Sequence, residues 1–280
     1  MACMAEKRRR RLVIIIGAVA VVVVVAAILG PYVYIHFIEG PAPAKLELPK
    51  SSGTTSTTAG PGGTSGAASS SVDGTWNVGS GSQAGYRVQE VLVGQNATAV
   101  GRTSKIWGSL TIADATVTKA SFTVDMASVV SDQSQRNARF DSSIMNVSQY
   151  PTSTLTLTAP ISLGTIPAAG TVVHNNATGD LTMHGVTKSV TFPVTAERVG
   201  SEIDVLADIP ITFSDWNIAN PSIGGFVSTG DTGTLEVLLH LTQGPGNPVS
   251  TSSGGSGQVG GGGPVTVPST TVPPLQVPSG

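Results

Sequence analysis

The chain has 280 residues, with 15 Lys and Arg against 17 Asp and Glu, a formal net charge of −2, a single cysteine, 34 glycines and 18 prolines. Seven of the basic residues fall within positions 1–50, so no basic face remains to track nucleic-acid phosphates, and nucleic acid is excluded as a partner. Cys3 alone excludes an internal disulfide and a cysteine-built zinc site, while the Gly and Pro content makes the folded part shorter than the chain.

Residues 1–11 end in the cationic run Lys7–Arg11, and the apolar run LVIIIGAVAVVVVVAAILG follows from Leu12, continuing as PYVYIHFI to Ile38. A bilayer core about 30 Å thick needs about 20 apolar residues at 1.5 Å each, so residues 12–38 are expected to form a single transmembrane helix. Basic residues upstream and none just downstream place residues 1–11 in the cytoplasm as a stub, with Tyr32 and Tyr34 at the outer interface and the rest extracytoplasmic. The alternative is a cleaved signal peptide with PAPA (Pro41 to Ala44) as its small-residue site, although the apolar run exceeds the usual 7–15 residues. Cys3 is either structurally idle or a site of juxtamembrane acylation. His36 reads as an interfacial residue.

Residues 39–73, centred on SSGTTSTTAGPGGTSGAASSS, cannot bury enough apolar area to offset their ordering entropy and are expected to be a flexible linker. Residues 244–280, with GGSGQVGGGGP and VPSTTVPPLQVPSG, are expected to be a disordered tail for the same reason. One domain remains, residues 74–243, long enough for a single substantial core.

Inside it the hydrophobic pattern has period two. Phe122, Val124, Met126 and Val130 share one parity, as do Leu155, Leu157, Ala159 and Ile161. The pattern returns at Val186, Val190, Phe192 and Val194, at Ile203 to Ile211, and at Leu235, Val237, Leu239 and Leu241. Such strands bury one face and wet the other, as antiparallel sheets do. Glycines at 164, 170, 185, 200 and 233 punctuate them at hairpin spacing. Only Asp132 to Met145 reads as helical. A sandwich and a closed barrel both satisfy this pattern, and a barrel near eight strands can hold one small ligand if its inward side chains do not fill it.

Catalytic and metal motifs are not found. His174, His184 and His240 are isolated in sequence, with no HExxH or three-ligand spacing, and no G-x-S-x-G occurs. His184 precedes Gly185 between two alternating runs, where the pair is expected to turn a hairpin and the ring to tie it. Asp204 and Asp208 fall on the polar side of their strand and read as a solvated face. The sequons at Asn96, Asn146 and Asn176 arise easily in a chain this rich in Ser and Thr.

Trp76 leading the first strand, SQAGYRV from Ser82, WGSLTI, FTVDMAS, QRNARFDSSIMNVSQYPTSTLTL from Gln135 and GDLTMHGVTKSVTFPV from Gly179 follow one another in an order that resembles the YceI-like family of lipocalin-like polyisoprenoid-binding domains. The resemblance implies an all-β fold, an antiparallel lipocalin-like barrel with one short helix, and a long apolar lipid as its ligand, with no cofactor and no enzymatic role. Parity then gives Phe122, Val124, Met126, Leu155, Leu157, Val190, Phe192, Val194, Leu235, Val237 and Leu239 as ligand-binding candidates. Where the family often has R-D-x-H-L this chain has Arg136, Asn137, Ala138, Arg139 and Phe140, and Glu90 stands where a His often ends the first long strand. Arg102, Arg136 and Arg139 are the candidates for a polar head group. The alternative function is a structural module of the cell envelope whose barrel is filled.

Overall fold

In the computed structural model, residues 2–33, 42–49, 72–92, 94–225 and 227–244 are described. The chain divides into two units, Met1–Pro248 and Val249–Gly280, and the second lies wholly outside the described residues, as do most of the expected linker and tail. The helix α1 runs over Ala2–Val33. Its described side chains from Leu12 to Val25 are exposed. Among the described residues no helix is long and apolar enough to cross a membrane; residues 34–38 of the expected span fall outside them.

Alternation makes the strands. Among the described residues thirteen form one antiparallel sheet: β1 (Gly74–Val78), β2 (Gln83–Leu92), β3 (Gln95–Thr103), β4 (Ile106–Ala113), β5 (Thr116–Asp125), β6 (Val130–Ser131), β7 (Thr152–Leu157), β8 (Ile161–Ser162), β9 (Val172–Met183), β10 (Val186–Val199), β11 (Glu202–Thr212), β12 (Val227–Thr229) and β13 (Thr232–Gln243). The order β1-β4-β5-β7-β9-β10-β11-β13 returns to β1, because Trp76 pairs with Gln243 and Val78 with Leu241. Eight strands therefore close into a barrel, which removes the sheet edges that would otherwise template aggregation. Farther along β13, Gln83 to Arg87 of β2 take the place that β1 leaves, pairing Leu238 to Thr234, and β3 continues the wall from there.

Two expectations are corrected here. The run Phe122 to Val130 is not one strand: after Asp125 the chain enters a 3₁₀ turn, Met126–Ser128, whose first N–H groups are capped by the Asp125 carboxylate accepting from Ala127 N at 3.0 Å. The turn shifts the phase, so Val129 is buried and Val130 is 60% exposed. The helix expected over 132–145 is two pieces, α2 (Ser134–Arg139) and a π turn at Phe140–Ile144 that carries Phe140 inward.

His184 and Gly185 form the β9–β10 hairpin with φ of +50° and +75°. The His184 ring meets Trp216 O through Nδ1 at 3.0 Å and packs edge-on to Tyr150 at 4.8 Å. This is the turn-tying role expected of it.

Candidate ligand-binding lumen

Inward parity gives the barrel two apolar clusters. One is built around Val88, Met126, Phe140, Leu181, Phe192, Ile209, Phe213 and Trp216. The other is built around Trp76, Ile106, Leu110, Ile112, Leu239 and Leu241. Neither fills its end of the barrel. A cavity of about 340 Å³ lies beside the first and one of about 170 Å³ beside the second. The larger lies within the volume range of ligand sites. Phe122, Leu155, Ile209 and Val237 line both, so one layer of side chains divides them.

The candidates given by parity fall as follows. Val124, Met126 and Leu235 line the larger cavity; Leu157, Phe192, Val194 and Leu239 line the smaller; Phe122, Leu155 and Val237 border both. Val190 packs against the first cluster but lines neither cavity. A strand's parity is set by its backbone, whereas a cavity is set by where facing side chains fall short of each other, which one strand's sequence does not encode.

Tyr86, Phe140, Ile209, Phe213 and Ile218 also line the larger cavity and were missed. Tyr86 had a readable signal, since it shares parity with Ala84, Val88 and Glu90 on β2. It stacks on Phe140 with centroids 5.3 Å apart. Phe140 had none, because its direction depends on the π turn.

The mouth of the larger cavity carries the charge. Arg136 donates to Glu90 Oε1 at 3.1 Å and to Asp132 Oδ1 at 2.6 Å, and lines the cavity beside Gln133 and Gln135. Burial alone would lower the Arg136 pKa, but Glu90 and Asp132 outweigh it and hold the guanidinium charged. The Tyr86 hydroxyl, desolvated by burial and opposed only in part by Arg136, is pushed up to about 12. Glu90, near the end of β2, is thus the partner of Arg136 from across the cavity lining. Arg139 lines the same cavity and donates to Pro221 O at 3.3 Å.

Arg102 is elsewhere. On β3 it has the parity opposite to Ala99, which belongs to the lumen cluster, and its Nη2 donates to Glu236 Oε2 at 2.9 Å on the outer side of the wall. Of the three head-group candidates, Arg102 therefore faces away from the lumen. Arg87 joins it, donating through Nε to Glu236 Oε1 at 2.6 Å. Gly85 lies in register between Glu236 and Arg102. A Cβ there would come within 2.9 Å of Arg102 Cγ and 2.0 Å of Gly101 O, so the missing side chain opens the path across β2. Glu236 is 1% exposed. Burial alone would raise its pKa, but the hydrogen bonds and charges of Arg87 and Arg102 outweigh that and hold it below the ordinary carboxylate range.

Asp204 and His240 correct two further readings. Asp204 is buried rather than solvated, and its Oδ1 lies 2.6 Å from His240 Nδ1. With Glu202 they bring ligand-type atoms within 4.8 Å of one another, a grouping that strand pairing creates across β11 and β13 and linear spacing hides. Among the described residues lining the two cavities the ionisable side chains are Tyr86, Glu90, Arg136, Arg139, Glu197 and Arg198.

A family model described as the YceI-like domain matches residues 76–241. No curated protein matches the chain. Among solved structures, a polyisoprenoid binding domain from Saccharophagus degradans implicated in plant cell wall breakdown is 16% identical with a TM-score of 0.48, covering 61% of this chain and 98% of that one. BcnA of Burkholderia cenocepacia is 24% identical with a TM-score of 0.42, covering 57% and 96%. A YCEI protein of Campylobacter jejuni is 18% identical with a TM-score of 0.43, covering 52% and 85%.

Proposed function

Because this chain belongs to the YceI-like family, we propose that its barrel is a lipid-binding module, held outside the cytoplasmic membrane by residues 12–38, that takes a long-chain polyisoprenoid or similar apolar molecule into its lumen. The observation that carries this is the pair of cavities, about 340 and 170 Å³, divided by one layer of apolar side chains. A filled barrel serving only as a scaffold would have neither. Each Å² of apolar ligand surface taken from water contributes about 25 cal/mol, so binding needs no charge inside the lumen.

The mouth agrees with that division of labour. Arg136 is already shared by Glu90 and Asp132, which leaves hydrogen-bonding groups rather than excess positive charge to meet a polar head. The anchor is supported by the sequence: the apolar run continues past the described side chains of α1 and over Leu12–Ile38 reaches the length that a bilayer requires. The upstream Lys7–Arg11 cluster supports the cytoplasmic placement of the amino end.

The test is native mass spectrometry of the full chain, produced in a bacterial host and released in mild detergent, with lipid extraction of any bound mass. A discrete adduct that extracts as a polyisoprenoid is expected. A clean protein mass that stays unchanged after incubation with prenyl alcohols overturns the reading.

A further inference from the structure

The segment Ala42–Pro49, APAKLELP, belongs by composition to the linker, yet its burial alternates: Leu46 and Leu48 are half-buried while Lys45, Glu47 and Pro49 are exposed. Alternation of this kind means one face of an extended chain lies on something. The hydrogen bonds identify the surface. Arg87 Nη2 donates to Pro43 O at 2.8 Å and Arg102 Nη2 donates to Ala44 O. Both guanidiniums are oriented from behind by Glu236.

We propose that Ala42–Pro49 is a built-in strap that docks on the outer wall of the barrel at Arg87 and Arg102, and that it sets how far the barrel stands from the apolar helix. The local chemistry explains the choice of residues. Pro41 and Pro43 favour an extended backbone with no internal hydrogen bonds, so its carbonyls are left for an outside donor. The wall supplies charged donors whose own counter-ion is buried, and hydrogen bonds to charged groups are the strong ones. Val100 and Leu238 are buried although both stand outside the two lumen clusters. Val100 pairs in register with Arg87, so this stretch of outer wall is apolar as well as charged, as a docking face for Leu46 and Leu48 requires.

The consequence is a short tether. Between Val33, the last residue of α1, and Ala42 stand only residues 34–41. At no more than about 3.6 Å per residue they cannot span more than about 30 Å, whereas the whole stretch to β1 could otherwise reach several times farther. With the helix as membrane anchor, a reading this consequence rests on, the strap keeps the lumen within one bilayer thickness of the membrane that supplies its ligand.

The experiment uses the full chain in detergent or in phospholipid vesicles. Trypsin cuts after Lys45 only if the strap leaves the wall, so the rate of that cut in the unsubstituted chain is compared with the rate in Arg87→Gln, which keeps the Arg102–Glu236 pair. Loss of one charge-assisted hydrogen bond is expected to speed the cut about tenfold. An independent measurement needs no change in the wall: in a Cys3→Ser background, spin labels on Glu47→Cys and Gln89→Cys should give one narrow distance distribution. A cut after Lys45 as fast in the unsubstituted chain as in the variant, or a broad distribution, overturns the strap. If Lys45 stays protected while the chain extracts from membranes with carbonate, the strap stands and the anchor reading falls.

Discussion

Phe122→Ala tests the lumen at its narrowest layer. Phe to Ala in a packed core costs about 3–5 kcal/mol, because transfer free energy is lost and a void is left behind. Phe122 is only half-buried in the closed wall and borders a cavity on each side, so many of the contacts a core ring would lose are already missing. We expect a loss of about 2 kcal/mol, below the usual range. The same change joins the two cavities. A prenyl unit newly admitted buries about five apolar carbons at ~0.8 kcal/mol each. Ordering it costs on the order of 1–1.5 kcal/mol, which leaves about 2.5–3 kcal/mol, or close to a hundredfold in affinity for a chain one unit longer than the unsubstituted barrel prefers. Urea unfolding gives the first quantity, and competition among prenyl alcohols of defined length, read by native mass spectrometry, gives the second. A stability loss of 4–5 kcal/mol with no change in preferred length would refute the reasoning, since it would mean a solid core around Phe122 and no path between the cavities.

Other outcomes follow from the same geometry. Glu236→Gln leaves Arg87 and Arg102 without their counter-charge and should cost about 2–3 kcal/mol in urea unfolding at pH 7. Because the folded pKa of Glu236 is lowered, its contribution is complete above the unfolded value near 4.5 and is lost as pH falls through the folded value; the gap between the two proteins should therefore close on acidification, and a gap independent of pH would contradict the assignment. Glu90→Gln removes a charge that raises the Tyr86 pKa, so the last tyrosine to ionise, followed by tyrosinate absorbance, should titrate below about 12. Trp216→Phe deletes the buried Nε1 bond to Leu181 O (3.2 Å) and should cost about 1–3 kcal/mol. His184→Ala should lower the urea midpoint through the lost bond to Trp216 O, while leaving the bound lipid unchanged.

Period two was enough to read the strands at 155, 190, 203 and 235, because each inward apolar residue there is repeated two positions on, and closure of β13 onto β1 puts those faces inside. It failed where the phase slips. Met126 keeps the apolar parity of β5 but sits in a 3₁₀ turn, and Phe140 gains its place in the lumen from a π turn that no periodicity announces. Arg102 is legible as outward from its parity on β3, but its partner Glu236 comes from β13 and is not visible in its own strand. Asp204 read as solvated because sequence shows only the strand it lies on, and its partner His240 arrives from β13, 36 residues away.

Five of the residues that break the pattern share a location. On a barrel wall the outward parity should be wet, yet Arg87, Arg102, Glu236, Val100 and Leu238 are outward and largely buried. A buried ion group is weak evidence for stability, since desolvating three charges costs about as much as their attraction returns. Its value lies in direction: Glu236 fixes two guanidiniums so that their remaining donors point at one strip of backbone. Inside the barrel the opposite choice is made, with apolar side chains on both sides of the Phe122 layer and ionisable groups confined to the ends. Affinity for a lipid grows with buried area and is indifferent to orientation, whereas holding a chain at one register needs directional bonds. Charge on the outer wall and its absence from the middle of the lumen thus separate where the barrel is held from what it holds.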